Sequence, residues 1–158
     1  MASVKVTDPA VTNQRVVEDS LRANIAVFLQ ESGYFLNTST LPGMVNPEDL
    51  VLDFRFSRFW QERSVHPAYF PAALITLTLY IWFGGPVHVD EYELSGSLTV
   101  KDGKGQILAE SIAQAQDRQN ISIYNDAAVL PSGVSARTTV VQEMIQKSIR
   151  ILTNAAKP

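Results

Sequence analysis

Very few side chains in this sequence are suited to catalysis or to metal binding. The chain has 158 residues, two histidines, His66 and His88, and no cysteine. A side-chain base that titrates near neutral pH would therefore have to be one of these two histidines. Neither has a second ligand at the spacing of a motif such as HExxH, and both lie near prolines in predicted loops. The sequence predicts no catalytic residue, no metal site and no cofactor.

The acidic stretch HVDEYE, residues 88–93, contains side chains that would suit a cation. In an extended strand successive side chains point to opposite faces. His88, Asp90 and Tyr92 would then lie on one side of the strand, and Glu91 and Glu93 on the other. We therefore interpret this stretch as an exposed strand face and not as a cation site.

Other motifs of enzymes and of nucleic-acid-binding proteins are also missing. The sequence has no GxSxG serine elbow, and KDGKG at residues 101–105 lacks the spacing and the following helix of a phosphate-binding loop. A net charge of -3 and a pI near 5.3 argue against a general affinity for nucleic acid, which needs clustered Lys and Arg. We expect a protein that is not an enzyme and does not bind nucleic acid.

The length and the composition predict a single domain over residues 1–158, with 46% hydrophobic and 18% charged residues. We expect a flexible N-terminal arm over residues 1–12, a loop over residues 38–48 and a tail over residues 153–158. The first residues, MASVKVTDPAVTNQ, have no basic segment followed by an apolar one, so no signal peptide is visible.

Helical and strand periodicities follow one another along the chain. A helix capped by Thr12 or Asn13 is predicted to run to about Ser32, with Gly33 as its stop, and Ser135 is predicted to cap a last helix. Residues 50–57 alternate as a strand with one buried face, and residues 91–115 form a hairpin that turns at KDGKG and has a bulge near Leu108. This order predicts an α+β fold: a mainly antiparallel sheet of four or five strands with two or more helices packed on one face.

The most hydrophobic run of the chain is PAALITLTLYIWFGG, residues 71–85. Its apolar and polar residues alternate, so residues 72–83 are predicted as a strand with an aliphatic core face, which includes Ile75, Leu79 and Phe83. Crossing ~30 Å of hydrocarbon takes about 20 apolar residues, so the run is too short for a transmembrane helix. Its second face, with Tyr80 and Trp82, needs a cover.

Aromatic side chains concentrate around this run. We predict an interaction site within residues 60–88 that is formed by Trp60, Tyr69, Phe70, Tyr80, Trp82 and Phe83. Tyr and Trp are enriched at protein interfaces and at membrane boundaries because they combine an apolar ring with one polar group. Three covers remain open at this point: a helix of the same domain, a partner chain and a lipid surface.

Several segments resemble small outer-membrane lipoproteins of Gram-negative bacteria: ESGYF at the end of the first helix, EDLVLDFRF, and YELSGSLTVKDGKGQILAE. The resemblance covers about residues 13–152. The domain of these lipoproteins is similar to the N-terminal domain of the translocation protein TolB, an α+β sandwich with helices on one sheet face. The chain differs from a full lipoprotein because it lacks a signal peptide and a lipid-bearing cysteine.

The resemblance implies a non-enzymatic periplasmic domain that is tethered to the outer membrane and acts as an assembly or adaptor module in an envelope complex. Its expected partners are other envelope proteins or a second copy of the chain, with membrane contact through a lipid anchor. The alternative is a carrier that holds a small apolar ligand or lipid in an aromatic cavity between sheet and helices.

Overall fold

The structure, a computed structural model, describes residues 2–35, 37, 39, 44–76, 79–124 and 134–155. The elements follow one another as β1 (Ala2–Val6), α1 (Gln14–Glu31), β2 (Leu50–Val65), α2 (Tyr69–Ile75), α3 (Leu79–Trp82), β3 (His88–Asp102), β4 (Ile107–Ile121) and α4 (Val134–Ala155). Among the helices of this described part, none is both long enough and apolar enough to cross a membrane.

The four strands form one sheet in the order β1-β2-β3-β4. β1 pairs with β2 in parallel, and the other two pairs are antiparallel. The predicted α+β class is therefore confirmed, with four strands. The prediction of an N-terminal arm is wrong over residues 2–6, because these residues pair with Leu52 to Phe56 and alternate between buried and more exposed positions. Pairing with a distant strand determines the conformation of this short segment, which its local sequence alone does not.

The hydrophobic core lies between one sheet face and the two long helices. Its buried side chains come from α1, α4 and all four strands; they are Leu21, Ile25, Leu29, Val140, Val141, Met144, Ile145, Ala2, Val4, Val6, Leu52, Phe54, Phe56, Leu94, Leu98, Val100, Ala109 and Ala113. The Ser111 hydroxyl of β4 donates a 2.8 Å hydrogen bond to the Met144 carbonyl of α4, which adds a polar tie to this packing. The opposite sheet face carries mostly polar side chains and no helix of the described chain packs on it.

The predicted helices and the predicted hairpin are confirmed with small changes at their ends. α1 ends one residue before Ser32, and Gly33 follows with a φ of 67° that suits glycine. α4 starts at Val134, so Ser135 lies inside the helix, and residues 153–155 of the predicted tail are helical. Val100 lies opposite Ala109 and Lys101 opposite Ile107, so Leu108 is the extra residue of the predicted bulge.

The prediction of a strand over residues 72–83 is wrong. The described residues of this run form α2 and α3, and β2 instead pairs directly with β3 as far as Val65 and His88. Because almost every residue of the run is apolar, a period of two does not exclude a helix. The Thr76 hydroxyl donates to the Ala72 carbonyl at 2.7 Å and accepts from the Tyr80 amide at 2.9 Å, which links the two short helices.

A second bulge lies in β2. Phe56 is opposite Gly96 and Arg58 is opposite Ser95, so Ser57 is an extra residue without a partner in β3. The carboxylate of Asp8, just after β1, accepts hydrogen bonds from the Phe59 amide at 2.6 Å and the Ala10 amide at 2.9 Å. Asp8 thereby fixes the backbone directly after the bulge.

The bulge reverses which side chains of β2 face the helices. Before it, even-numbered residues such as Phe54 and Phe56 are buried against the helices. After it, odd-numbered residues take that face: Phe59 packs against the core, and the guanidinium of Arg137 in α4 lies 5.0 Å from its ring centroid. Burial lowers the pKa of Arg137. Trp60 and the other even-numbered residues therefore point to the open face.

Asp8 makes the stability of the fold depend on pH. Hydrogen bonds from the Phe59 and Ala10 amides hold the pKa of Asp8 below its ordinary value of 3.8, against an opposing effect of burial. A carboxylate with a lowered pKa in the folded state stabilises the fold fully above its unfolded pKa and loses that contribution as the pH falls through the folded pKa. We expect the free energy of unfolding to fall below about pH 4.

Asp8→Asn tests this expectation. The variant should lose about 1 to 2 kcal/mol at neutral pH and show a shallower loss of stability on acidification, when unfolding by urea is measured at several pH values. Asp19→Asn, at an exposed position of α1, is the matched control and should follow the parent chain. Equal pH profiles for the parent and Asp8→Asn would contradict the role of Asp8.

Candidate functional site

The connection between β2 and β3 contains the two short helices α2 and α3, which contact each other. We call residues 66–87 the apolar lobe; the structure describes residues 66–76 and 79–87 of it. The His66 amide donates to the Val87 carbonyl at 2.9 Å and closes the base of the apolar lobe. None of the described residues of α2 and α3 is buried. The apolar lobe therefore presents its side chains to solvent and not to the core.

Large apolar side chains cover the surface of the apolar lobe. Phe83 is 87% exposed, Ile75 83% and Trp82 72%, and Phe70, Leu74 and Leu79 are also more than half exposed. The sequence has no Asp, Glu, Lys or Arg between Arg63 and Asp90. Single exposed apolar residues are common on soluble proteins, whereas larger groups of them are typical of interaction sites, so this surface is a candidate contact site.

Hydrogen bonds and one close aromatic contact hold the apolar lobe in this shape. The Tyr80 ring lies so close to Gly85 that a Cβ atom there would come within 2.5 Å of the ring. The Tyr80 hydroxyl donates to the Pro86 carbonyl at 3.3 Å, and the Tyr124 hydroxyl donates to the Trp82 carbonyl at 3.1 Å. The polar groups of both tyrosines are thus used inside the protein, while Trp82 is free to contact another molecule.

A cavity of about 610 Å³ opens between α2 and α3. It is lined by Ile75, Thr76, Leu79, Tyr80, Phe83 and Gly85. Apolar walls without a charged group suit an apolar side chain or a short apolar segment. The arrangement of groups can hold such a segment, and the polar side chains among its lining residues are Thr76 and Tyr80.

The structure brings together five of the six predicted interaction residues. Tyr69, Phe70, Tyr80, Trp82 and Phe83 all belong to the apolar lobe, and the rings of Tyr69 and Phe70 meet edge to face at 5.1 Å. Trp60 is different, because it lies within β2 opposite Glu93, on the open face of the sheet. Whether any of these side chains contacts a partner stays a prediction.

Sequence analysis missed the aliphatic half of this surface. Leu74 had no assigned role, and Ile75 and Leu79 were assigned to a buried strand face, but all three are exposed. No signal in the sequence identified them, because a mainly apolar run fits a helix as well as a strand and the prolines at positions 67, 71 and 86 lie outside the predicted strand.

The two histidines stay apart from any recognisable chemical site. His66 accepts a hydrogen bond at Nδ1 from the Ala68 amide at 3.2 Å, and His88 opens β3 opposite Val65. Within the ranges that the structure describes, no group of three or more His, Asp and Glu side chains is placed to hold a metal ion.

The interpretation of HVDEYE as an exposed strand face is wrong for Asp90 and Tyr92. Asp90 is only 1% exposed, and its carboxylate accepts two hydrogen bonds from Arg63, at 2.6 Å from Nε and 2.8 Å from the second guanidinium nitrogen. The bulge at Ser57 causes this pairing, since it turns Arg63 to the face on which Asp90 lies. The charge pair stands at the base of the apolar lobe.

The carrier alternative stays a prediction, and the aromatic residues of the apolar lobe do not supply a lining between sheet and helices. Phe54 and Phe56 fill the space between sheet and helices, whereas Trp60 and the aromatic residues of the apolar lobe lie outside it. A cleft of about 500 Å³ beside the end of α1 is lined by Leu29, Tyr34, Phe35 and several polar residues, not by the predicted aromatics.

Comparisons with known proteins gave matches only among solved structures. No protein family matches the chain, and no curated protein matches it. The chain is similar to a minor lipoprotein from Acinetobacter baumannii, with 16% identity over 99% of this chain and 96% of the other and a TM-score of 0.41. A lipoprotein from Neisseria meningitidis has 13% identity over 97% and 96% of the two chains and a TM-score of 0.42.

The rare lipoprotein B from Shewanella oneidensis has 17% identity over 98% of this chain and 92% of the other, with a TM-score of 0.31. These TM-scores lie below 0.5, so the similarities do not decide what this chain does. The resemblance to the TolB N-terminal domain stays a prediction.

Removal of Arg63 should destabilise the protein. Arg63→Leu takes two hydrogen bonds from a buried carboxylate, and we expect a loss of about 3 kcal/mol in the free energy of unfolding. Arg58→Leu is the matched control on the same strand, because Arg58 pairs with Glu93 at 2.8 Å in a more exposed position. Its loss should stay below about 1 kcal/mol. Equal losses in urea unfolding would contradict the importance of the Asp90 pair.

A methyl group at position 85 should loosen the apolar lobe without unfolding the sheet. Gly85→Ala displaces the Tyr80 ring, so we expect faster amide hydrogen exchange across residues 79–87 and unchanged exchange in β3. Tyr80→Phe, which keeps the ring and loses only its hydroxyl, is the control and should have a smaller effect. Unchanged exchange in Gly85→Ala would show that the ring contact does not hold this segment.

Proposed function

We propose that the chain is the periplasmic, non-enzymatic domain of an outer-membrane lipoprotein and that it acts as an assembly or adaptor module in a cell-envelope complex. The apolar lobe is its contact with another envelope protein. The observation that carries this proposal is the group of exposed, uncharged side chains on α2 and α3, with Phe83, Ile75 and Leu74 each more than three quarters exposed.

The free energy available on this surface favours a partner. Burial of one large apolar side chain contributes about 1.5 to 3 kcal/mol, so several such side chains on one lobe can support a stable contact. The central part of a protein interface is poor in charged residues and rich in aromatic ones. The apolar lobe matches that composition, since its neighbouring charges, Arg63 and Asp90, are paired with each other at its base.

The cavity between α2 and α3 suggests how the partner binds. Its walls combine Ile75, Leu79 and Phe83 with the ring of Tyr80. An apolar side chain of the partner would enter this cavity, while Trp82 and Phe70 would cover the surroundings. Most binding energy in interfaces comes from a few such residues in well-packed pockets. The apolar lobe is therefore proposed to receive an apolar segment of an envelope protein.

The placement in the cell rests on the sequence resemblance to small outer-membrane lipoproteins. It implies a precursor with a signal peptide and a lipid-modified cysteine ahead of this domain. Fractionation of cells that express the native gene tests this part: the protein should sediment with outer membranes and be released by detergent. Recovery in the cytosolic fraction would contradict the outer-membrane location, but it would not test the proposed contact surface.

Trp82 and Phe83 provide the test of the contact itself. A photo-crosslinking phenylalanine analogue at either position, introduced in the native host, should yield the same crosslinked envelope protein. The analogue at position 16, also exposed but on α1, is the matched control and should not yield it. Trp82→Ser should weaken the isolated complex about 30-fold or more, as loss of a central interface tryptophan does.

The same variants separate an interface from a core role. Trp82→Ser and Phe83→Ser should change the free energy of unfolding by less than about 0.5 kcal/mol, as surface substitutions do. A large loss of stability would mean that these side chains are structural. Crosslinks only to lipid would indicate a membrane surface and not a protein partner. Equal crosslinks from position 16 would contradict the assignment of the contact to the apolar lobe.

A further inference from the structure

β4 forms one edge of the sheet and is 15 residues long. Its inner side pairs with β3, and in the part of the chain that the structure describes no strand pairs with its outer side. The Val87 amide donates to the Ile121 carbonyl, so the backbone groups of odd-numbered residues in β4 point inward. Even-numbered residues from Glu110 to Asn120 therefore direct their N–H and C=O groups to the outside.

The side chains of these even-numbered residues lie on the sheet face opposite α4. The odd-numbered residues Ser111 and Ala113 are buried, whereas all even-numbered residues from position 110 to 120 are exposed. A second strand can approach this edge without displacing a side chain of the core. An exposed, regular edge of this length is a template for pairing with another chain.

The charges on the edge are symmetrically placed. Glu110 and Arg118 are the charged even-numbered residues of β4, and Gln114 lies midway between them. In an antiparallel pair of two identical strands with its twofold axis at Gln114, Glu110 of each copy faces Arg118 of the other. Ile112 then faces Gln116, and Gln114 faces Gln114. A shift of the axis by one residue in either direction separates the opposite charges.

We infer that two copies of the chain pair through their β4 edges, antiparallel and centred on Gln114, to give a continuous eight-stranded sheet. The occupant of the edge is thus a second copy, because the sequence of β4 is complementary to itself in this register. The joined edge contains two equivalent Glu110–Arg118 pairs, one on each side of the twofold axis. The apolar lobes lie at opposite ends of the joined sheet, free for the contact proposed above.

Lys147 regulates access to one part of the edge. Its ammonium group on α4 donates to the outward carbonyl of Ile112 at 2.9 Å and also pairs with Glu143 at 2.7 Å. Lysines next to an edge strand oppose pairing with other chains. Pairing of two copies requires Lys147 to release this carbonyl, so Lys147→Met should strengthen the dimer.

Charge reversal tests the inference by sedimentation of the full chain at several concentrations. Glu110→Arg and Arg118→Glu should each weaken the dimer about tenfold or more, because each places like charges opposite one another twice. The double variant should restore it. Arg118 also pairs with Glu91 at 3.3 Å in the same chain, so Glu91→Gln is the control and should leave the dimer intact.

A single introduced cysteine tests the register. The chain has no cysteine of its own, and two Gln114 residues at the axis would have Cα atoms about 5.5 Å apart, within the range of a disulfide. Gln114→Cys should therefore form a disulfide-linked dimer with a mild oxidant, whereas Asn120→Cys on the same edge should not.

Four results would overturn the inference: a monomer at every concentration, a dimer insensitive to both single reversals, failure of the double reversal to restore it, or equal crosslinking from positions 114 and 120. A dimer lost in Phe83→Ser but kept in both reversals would place self-association on the apolar lobe. Loss of the partner contact with the dimer intact would affect only the proposed function, because that contact uses a different surface.

Discussion

The bulge at Ser57 is the constraint on which the arrangement of the surfaces depends. It lets one long strand change the face it presents to the helices, so that Phe56 and Phe59 both reach the core. The Asp8 carboxylate, placed just after β1, binds the Phe59 amide and stabilises this change. β1, a parallel edge strand of five residues, therefore does more than pair with β2. Asp8, which follows it, helps to fix which side chains of β2, the longest strand, face the helices.

The bulge also determines which side chains of β2 face the helices at the far end of the sheet. Arg63 faces Asp90 only because the bulge precedes it, and this pair stands where β2 and β3 lead into the apolar lobe. A buried carboxylate with two bonds from one guanidinium has a defined geometry, so the ends of both strands are fixed relative to each other. The apolar lobe can then expose large side chains on a rigid base, although it contributes no buried residue of α2 or α3 to the core.

Two surfaces with different chemistry result from this architecture. The apolar lobe has no Asp, Glu, Lys or Arg, and the Tyr80 hydroxyl is already bonded to the Pro86 carbonyl, which suits a contact with few polar groups. Over the described residues no strand pairs with the outer side of β4, and most of the side chains on its open face are polar, which suits pairing with another strand. Because the two surfaces lie on separate elements, one of them can mediate assembly of copies while the other contacts a partner. Neither use involves the core, whose packing is complete between sheet and helices.

Much of the fold could be predicted from the sequence. Strong periodicity identified α1, α4, the first half of β2 and the β3–β4 hairpin with the bulge at Leu108, and the α+β class followed from their order. Five of the six residues of the predicted interaction site lie in one segment and Trp60 lies on another face, while the interaction itself stays a prediction. Local patterns are reliable here because each of these elements has one polar and one apolar side.

What the sequence by itself determined is therefore the amphipathic elements and the uncharged character of residues 64–87. Only the tertiary structure decided that residues 2–6 are a strand, that Asp90 is buried with Arg63, and that residues 69–75 and 79–82 are helices. Each of these depends on residues distant in the chain. β1 depends on its pairing with β2, and the burial of Asp90 with Arg63 depends on the bulge that reverses the faces of β2. The apolar lobe depends on the direct pairing of β2 with β3. The alternation in this mainly apolar run fits a strand but does not exclude a helix, so its conformation does not follow from its local sequence.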